Sequence, residues 1–168
     1  MPGNAMSARE TWQVVAFVRS LGQVKREPLP GDAAGGARVY EAVGCAACHT
    51  IRGRGGPLGP DLTDIGARSS PAYIRRSIVD PQADVPSGFK QVRAVTREGR
   101  RMTGVVVNED TFSIQFRDTG GSLYSYFKEE LAELATDRSA TMPSFRDRLE
   151  PAALDDLVAY LVSLEGTR

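Results

Sequence analysis

Both cysteines and the single histidine of this 168-residue chain lie within one short segment, Cys45-Ala46-Ala47-Cys48-His49. This spacing places two thiols on one helical turn, where each can add across a vinyl group of haem, and the next residue supplies an imidazole for the iron. The segment therefore predicts one haem c, bound covalently through Cys45 and Cys48, with His49 as an iron ligand.

Three other roles for these residues remain open at this point. A thioredoxin-type redox pair has its C-x-x-C at the start of a helix that follows a strand, whereas here a helix is predicted before the motif and a glycine-rich loop after it. A zinc site would need carboxylates to complete it, because one histidine and two cysteines supply only three ligands. The third alternative is a pair of cysteines with a purely structural role.

Composition excludes several classes of protein. The 21 Lys and Arg residues balance 21 Asp and Glu residues, so the chain lacks the basic surplus that binding to nucleic acid requires. Apolar runs such as residues 14–18 are far shorter than the roughly 20 residues of a membrane span. With 41% hydrophobic and 25% charged residues, the chain has the composition of a globular protein.

Helical patterns are predicted at both ends of the chain and around the motif. Residues 1–22 form an amphipathic N-terminal helix, and residues 23–30 form a linker that contains two prolines. The remaining residues, 31–168, form the main domain. Within it, helices are predicted from Asp32 to about Val43, from Ala72 to Val79 and from Pro151 to Leu164, and a short one from Lys128 to Leu134.

The period of the hydrophobic pattern changes in the middle of this domain. Phe112, Ile114 and Phe116 alternate with polar residues, which predicts a half-buried strand. Together with neighbouring segments, this pattern predicts an antiparallel sheet of three to four strands at about residues 89–127. We therefore expect a mainly α protein with an inserted β-sheet.

The first helix repeats part of the last one. Residues 15–21 read VAFVRSL and residues 158–164 read VAYLVSL, and a Met-Pro pair precedes each stretch, at Met1 and at Met142. Chance similarity between two amphipathic helices is one explanation. The other is that residues 1–22 are the tail of a preceding domain of the same kind.

Beyond the motif, the chain resembles the class I c-type cytochromes. Gly36 and Tyr40 precede Cys45 as in the N-terminal helix of that family, which crosses the C-terminal helix. Gly59-Pro60-Asp61-Leu62 is similar to the loop in which a proline carbonyl accepts a hydrogen bond from the iron-binding imidazole. Met142 matches the family's distal methionine. The resemblance covers residues 31–81 and 137–165, and the sheet is similar to an insertion found in larger haem-binding domains of bacterial proteins.

This resemblance implies a class I cytochrome c helical fold around haem c, with Cys45, Cys48, His49, Pro60 and Met142 at the cofactor and His49 and Met142 as axial ligands. Another methionine, a lysine or water is the alternative sixth ligand. The implied function is one-electron transfer by a carrier domain that is not an enzyme. A haem-based gas sensor or a peroxidase-like enzyme with a displaceable distal ligand is the alternative function.

The resemblance also implies partners and a location. Redox proteins are the expected partners, for example a sugar or alcohol dehydrogenase or a respiratory acceptor, with no nucleic acid and no membrane span in this chain. Covalent haem attachment of this kind occurs outside the cytoplasmic membrane, so we expect a periplasmic or exported protein. No signal peptide pattern opens the chain, which indicates that such a segment was removed or that the sequence is part of a longer protein.

Overall fold

The computed structural model describes residues 6–21 and 28–166, which contain five α-helices and seven β-strands. The helices are α1 (Ala8–Leu21), α2 (Ala33–Ala42), α3 (Ile65–Arg68), α4 (Pro71–Val79) and α5 (Pro151–Ser163). The strands are β1 (Thr50–Ile51), β2 (Arg54–Gly55), β3 (Gln91–Thr96), β4 (Arg101–Glu109), β5 (Ser113–Arg117), β6 (Leu123–Phe127) and β7 (Leu131–Asp137).

Helix α2 begins where its sequence supplies a cap. The Asp32 side chain accepts hydrogen bonds from the backbone N–H groups of Ala34 and Gly35, at 3.2 and 2.7 Å. The backbone N–H of Asp32 in turn donates to the Asp156 carboxylate on α5, at 2.7 Å. The same short segment therefore starts α2 and attaches it to the last helix.

The crossing of α2 and α5 depends on a glycine. A Cβ atom at Gly36 would lie 1.9 Å from the backbone oxygen of Asp156 and 2.6 Å from the Cβ of Tyr160, so only glycine permits this approach. Next to the crossing, the rings of Tyr40 and Tyr160 meet edge to face with their centroids 5.7 Å apart. The apolar faces of α2, α3, α4 and α5 share one hydrophobic core, in which Leu157 is 1% exposed.

Replacing Gly36 with alanine is expected to lower the free energy of unfolding by about 1–3 kcal/mol, the usual cost of overpacking a well-packed site. The added methyl group meets rigid backbone, and this outweighs the gain of about 1 kcal/mol in helix propensity. Gly35→Ala is the matched control, because a Cβ there meets the movable end of the Asp156 side chain, 2.7 Å away. Chemical denaturation of both variants checks the expectation, which equal stabilities would contradict.

The five longer strands form one antiparallel sheet in the order β6-β5-β4-β3-β7. Four of them follow each other as a meander, and β7 returns after the 3₁₀ turn Lys128–Glu130 to pair with β3. One face of the sheet carries a second hydrophobic core, in which Ile114 and Phe116 are fully buried. The Phe116 ring stacks on Tyr124 with a centroid separation of 5.5 Å.

The expected mainly α fold class is wrong. The structure is 36% helical and 24% strand, and its sheet has five strands instead of three to four. The error lies at residues 128–134, which we predicted to form a short helix and which form the 3₁₀ turn Lys128–Glu130 and the start of strand β7. A register shift opposite Val95 and Thr96 places the two leucines of strand β7 on one face, since Leu131 pairs with Thr96 and Leu134 with Ala94.

Helix α1, part of the predicted N-terminal helix, begins with a capping box. The backbone N–H of Ser7 donates to the Glu10 carboxylate at 2.8 Å, and the backbone N–H of Glu10 donates to the Ser7 hydroxyl at 3.3 Å. The rest of the predicted N-terminal segment and most of the linker, residues 1–5 and 22–27, lie outside the described residues. Within the described ranges, no helix has both the length and the apolar composition needed to cross a bilayer.

Candidate functional site

The cysteine-containing segment forms a tight turn directly after α2. Gly44 adopts a left-handed conformation with φ 80°, which turns the chain out of the helix, and Cys45–Ala47 form a 3₁₀ turn. The backbone N–H groups of Cys48 and His49 both donate to the carbonyl of Cys45, at 3.2 and 3.0 Å. Both thiols are free, and Cys48 is exposed. One turn thus presents a half-buried thiol and an exposed thiol, followed by the imidazole.

The imidazole of His49 is oriented by the loop that follows the motif. Its Nδ1 lies 2.9 Å from the carbonyl oxygen of Pro60. Since a carbonyl only accepts, Nδ1 carries the proton and Nε2 keeps its lone pair for a metal. Burial lowers the pKa of His49, and the bond to Pro60 opposes that shift. The result is a neutral imidazole, the form that binds iron.

Glycines allow this loop to pack against the motif. A Cβ atom at Gly59 would lie 2.6 Å from Cε1 of His49, and one at Gly56 would lie 1.9 Å from the backbone oxygen of Ala47. The backbone N–H of Gly59 donates to the carbonyl of Cys48 at 2.7 Å, and that of Gly56 donates to Ala46 at 2.9 Å. The glycine-rich composition predicted a loop, but not this close contact with the imidazole.

Tyr40 connects the helix crossing to the motif. Its side chain is 3% exposed, and its hydroxyl donates to the backbone carbonyl of His49 at 3.2 Å. Burial raises the pKa of Tyr40 well above its usual value, so the hydroxyl keeps its proton. The packing of α2 on α5 therefore also fixes the backbone of the imidazole residue.

Met142 lies in the loop before α5, half-buried and in contact with the helical core. Gln82, which follows α4, holds this loop through both of its amide atoms. Its Nε2 donates to the carbonyl of Ala140 at 3.2 Å, and its Oε1 accepts from the N–H of the same residue at 3.0 Å. The sequence analysis missed Gln82, because 60 residues separate it from the methionine in the chain and no motif links them.

Further contacts fix the chain on either side of Met142. Downstream, the Ser144 hydroxyl donates to the carbonyl of Val79 at 2.7 Å, and the N–H of Phe145 donates to Ile78 at 3.0 Å. Upstream, the hydroxyl of Ser139 donates to the Asp137 carboxylate. The loop is thereby attached both to the end of α4 and to the end of strand β7.

Met102, another of the methionines, belongs to the core of the sheet. It is 8% exposed in the second hydrophobic cluster, and its sulfur accepts a hydrogen bond from the hydroxyl of Tyr126 at 3.6 Å. Met6 lies at the start of α1, on an exposed position. Of the methionines in the described residues, Met142 alone packs against the cluster that contains Cys45 and Ala46.

The donor set of this turn fits haem c better than the alternatives. Burial raises the pKa of the Cys45 thiol to about 11, whereas a thioredoxin-type attacking thiol needs a lowered pKa. Helix α2 ends before the motif, which is the reverse of the thioredoxin order. Among the described residues, no group of three or more His, Cys, Asp or Glu side chains is arranged to hold a metal ion. Two free thiols beside an imidazole with a free Nε2 define a haem-attachment site of the c type.

Comparison with known proteins identifies the type of domain that contains this site. Residues 33–111 match the family model described as cytochrome c, a segment that includes the motif and Pro60 and ends before Met142. The chain therefore contains a cytochrome c domain, which implies covalently bound haem c, and Cys45, Cys48 and His49 fit its attachment motif.

A relative supports the same family. The menaquinol:cytochrome c reductase cytochrome c subunit of Bacillus subtilis (strain 168) is 31% identical over 83 residues, which is 46% of this chain and 32% of that protein. The chain thus spans about a third of the length of this curated relative. Together, the two matches support a role in haem-based electron transfer.

Proposed function

We propose that this chain is an electron carrier whose haem c has His49 and Met142 as its axial ligands. When bound, the haem supplies one reversible one-electron couple. The observation that carries the proposal is the motif turn, with its two free thiols and with the His49 Nδ1–H donating to the carbonyl of Pro60.

In this proposal, each residue of the site has a defined task. Cys45 and Cys48 hold the cofactor covalently, and the Pro60 carbonyl fixes the imidazole ring and makes it a stronger electron donor. Gln82 keeps the methionine loop in place through Ala140. Axial ligation by histidine and methionine raises the reduction potential relative to other ligand sets and leaves no iron position for a substrate.

An electron carrier differs from a haem enzyme or a gas sensor in having no ligand position on its iron that a small molecule can take. A spectroelectrochemical titration of the full chain is expected to give one reversible couple, with no uptake of carbon monoxide by the reduced protein at neutral pH. Rapid stoichiometric binding of carbon monoxide would overturn the carrier assignment in favour of a sensor or a peroxidase-like enzyme with a displaceable ligand. An irreversible couple would also contradict it.

The proposed partners are redox proteins outside the cytoplasmic membrane, in the periplasm or an equivalent exported location. The similarity to a subunit of a menaquinol:cytochrome c reductase supports a respiratory donor or acceptor. A sugar or alcohol dehydrogenase as electron donor is the second partner class that fits a carrier of this kind. Haem attachment of this kind takes place outside the cytoplasmic membrane, which supports a periplasmic or exported location.

Replacing Gln82 with alanine is expected to loosen the methionine loop and to leave the overall fold intact. The variant loses two hydrogen bonds to Ala140, each worth about 1 kcal/mol. The weak red charge-transfer band of sulfur-ligated ferric haem should then disappear at a lower temperature than in the parent protein. Asp84→Ala, an exposed change two residues away, is the control.

Two melting curves distinguish a positioning role from a general structural one. If Gln82 acts on the methionine, the melting temperature of the red band falls while the global unfolding followed by far-ultraviolet circular dichroism changes little. Equal shifts in the two curves would instead assign Gln82 a merely structural role.

A further inference from the structure

The packing of α5 on α2 shows what the C-terminal helix of this domain contributes. Leu157 and Leu161 are 1% and 6% exposed, and both belong to the helical core. The backbone of α5 at Asp156 approaches so closely that only a glycine fits opposite it, at Gly36. A helix of the α5 type therefore buries its leucine face in the helical core and crosses a glycine-containing helix beside that face.

Helix α1 has the sequence of an α5-type helix, but its equivalent face is exposed. Aligning residues 15–21 with residues 158–164 places Val14 at the position of Leu157 and Val18 at that of Leu161. These valines are 49% and 59% exposed, whereas their counterparts in α5 are buried. Each helix also begins at an equivalent position, Ala8 in α1 and Pro151 in α5.

The cost of this exposure indicates a missing partner. A buried valine or leucine side chain contributes about 1.5–3 kcal/mol relative to an exposed one. Scattered exposed apolar residues are common in proteins and need no explanation. Here, however, the exposed residues occupy the same positions that are buried in the helical core in the other copy of the pattern.

We propose that α1 is the C-terminal helix of a second cytochrome c unit, that its Val14 and Val18 face packs into the helical core of that unit, and that α1 crosses an α2-type helix there. The partner helix carries a glycine at the crossing point and an aromatic residue four positions later, as Gly36 and Tyr40 do in α2. This inference goes beyond the proposed electron carrier and does not depend on which residue is the sixth ligand.

The test is a tandem chain in which residues 31–141 are placed directly before residues 1–168. Met1-Pro2 then follows Thr141 as Met142-Pro143 does in the parent, and α1 takes the place of α5 with two residues fewer between the Met-Pro pair and the helix. The measurement is Soret circular dichroism, which reports haem held in a folded, asymmetric site, with the haem content determined separately. We expect about twice the signal of the parent chain, because two folded units form.

Two substitutions in α1 make the test specific. Val14→Asp in the tandem chain is expected to return the signal to that of the parent, because it buries a charge in the helical core of the first unit. The same substitution in the parent chain leaves its signal unchanged, since Val14 is exposed there. Gln13→Asp is the matched control, because it introduces the residue that α5 has at that place, Asp156.

A reference chain keeps the outcome interpretable. It joins residues 31–168 to residues 1–168, so that each unit has its own α5, and it is expected to give twice the parent signal. If the reference doubles and the tandem does not, or if Val14→Asp leaves the tandem unchanged, the proposal is overturned. Failure of the proposed electron-carrier function would appear instead in the parent, as an irreversible couple with an unchanged Soret signal.

Discussion

Replacing both Cys45 and Cys48 with alanine is expected to yield a protein that retains essentially no haem after extraction with acidified acetone. The His49 imidazole alone holds the cofactor reversibly, whereas two thioether bonds hold it through denaturation. The cofactor contributes to the core of a small domain, and its binding stabilises the folded state. Loss of the cofactor is therefore also expected to lower the helicity. Extraction followed by a visible spectrum, with far-ultraviolet circular dichroism, measures both effects.

The control for this experiment lies inside the motif. Ala47 is exposed between the two cysteines, so Ala47→Ser keeps the spacing and is expected to retain covalent haem. A double-cysteine variant whose haem still resisted extraction would contradict covalent attachment through these thiols.

Replacing Met142 with alanine is expected to change the iron and not the fold. The ferric protein should lose the weak red charge-transfer band that reports sulfur ligation, and the reduced protein should bind carbon monoxide. The reduction potential should fall by on the order of 100 mV, within the roughly 0.8 V range that axial ligands set. Absorption spectra and a potentiometric titration of the variant give these quantities.

Met102→Leu is the matched control for the sixth ligand. Met102 is buried in the sheet beside Tyr126, so its replacement should affect stability by less than about 1.5 kcal/mol and leave the red band in place. If the Met142 variant keeps the band and remains inert to carbon monoxide, Met142 is not the distal ligand. The electron-carrier proposal would then lose its main support.

Local signals were sufficient to predict the helices that surround the motif. A helix was predicted from Ala72, and α4 begins at Pro71, where the Ser70 hydroxyl accepts a hydrogen bond from the N–H of Tyr73 at 3.2 Å. The predicted helix from Asp32 to Val43 differs from α2 by a residue at each end. Such starts and stops depend on neighbouring residues alone, which a single sequence displays.

Strand β7 could not be predicted from local periodicity. Its register shift places two leucines three residues apart on one face, and this spacing is also typical of a helix. Leu131 and Leu134 would share a face in either structure, and only the pairing with β3 decides between them. The partner strand is about 40 residues away in the chain, so no local pattern contains that information. The same reason explains why Gln82 was missed: its contact with Ala140 exists only after the fold has formed.

The pairing of Gln91 with Asp137 brings the two ends of the sheet segment side by side. The entropy of closing a flexible loop grows with its length, but here hydrogen-bonded end strands fix the distance between entry and exit. What lies between them can therefore change in length or sequence without moving Gln82 away from Ala140.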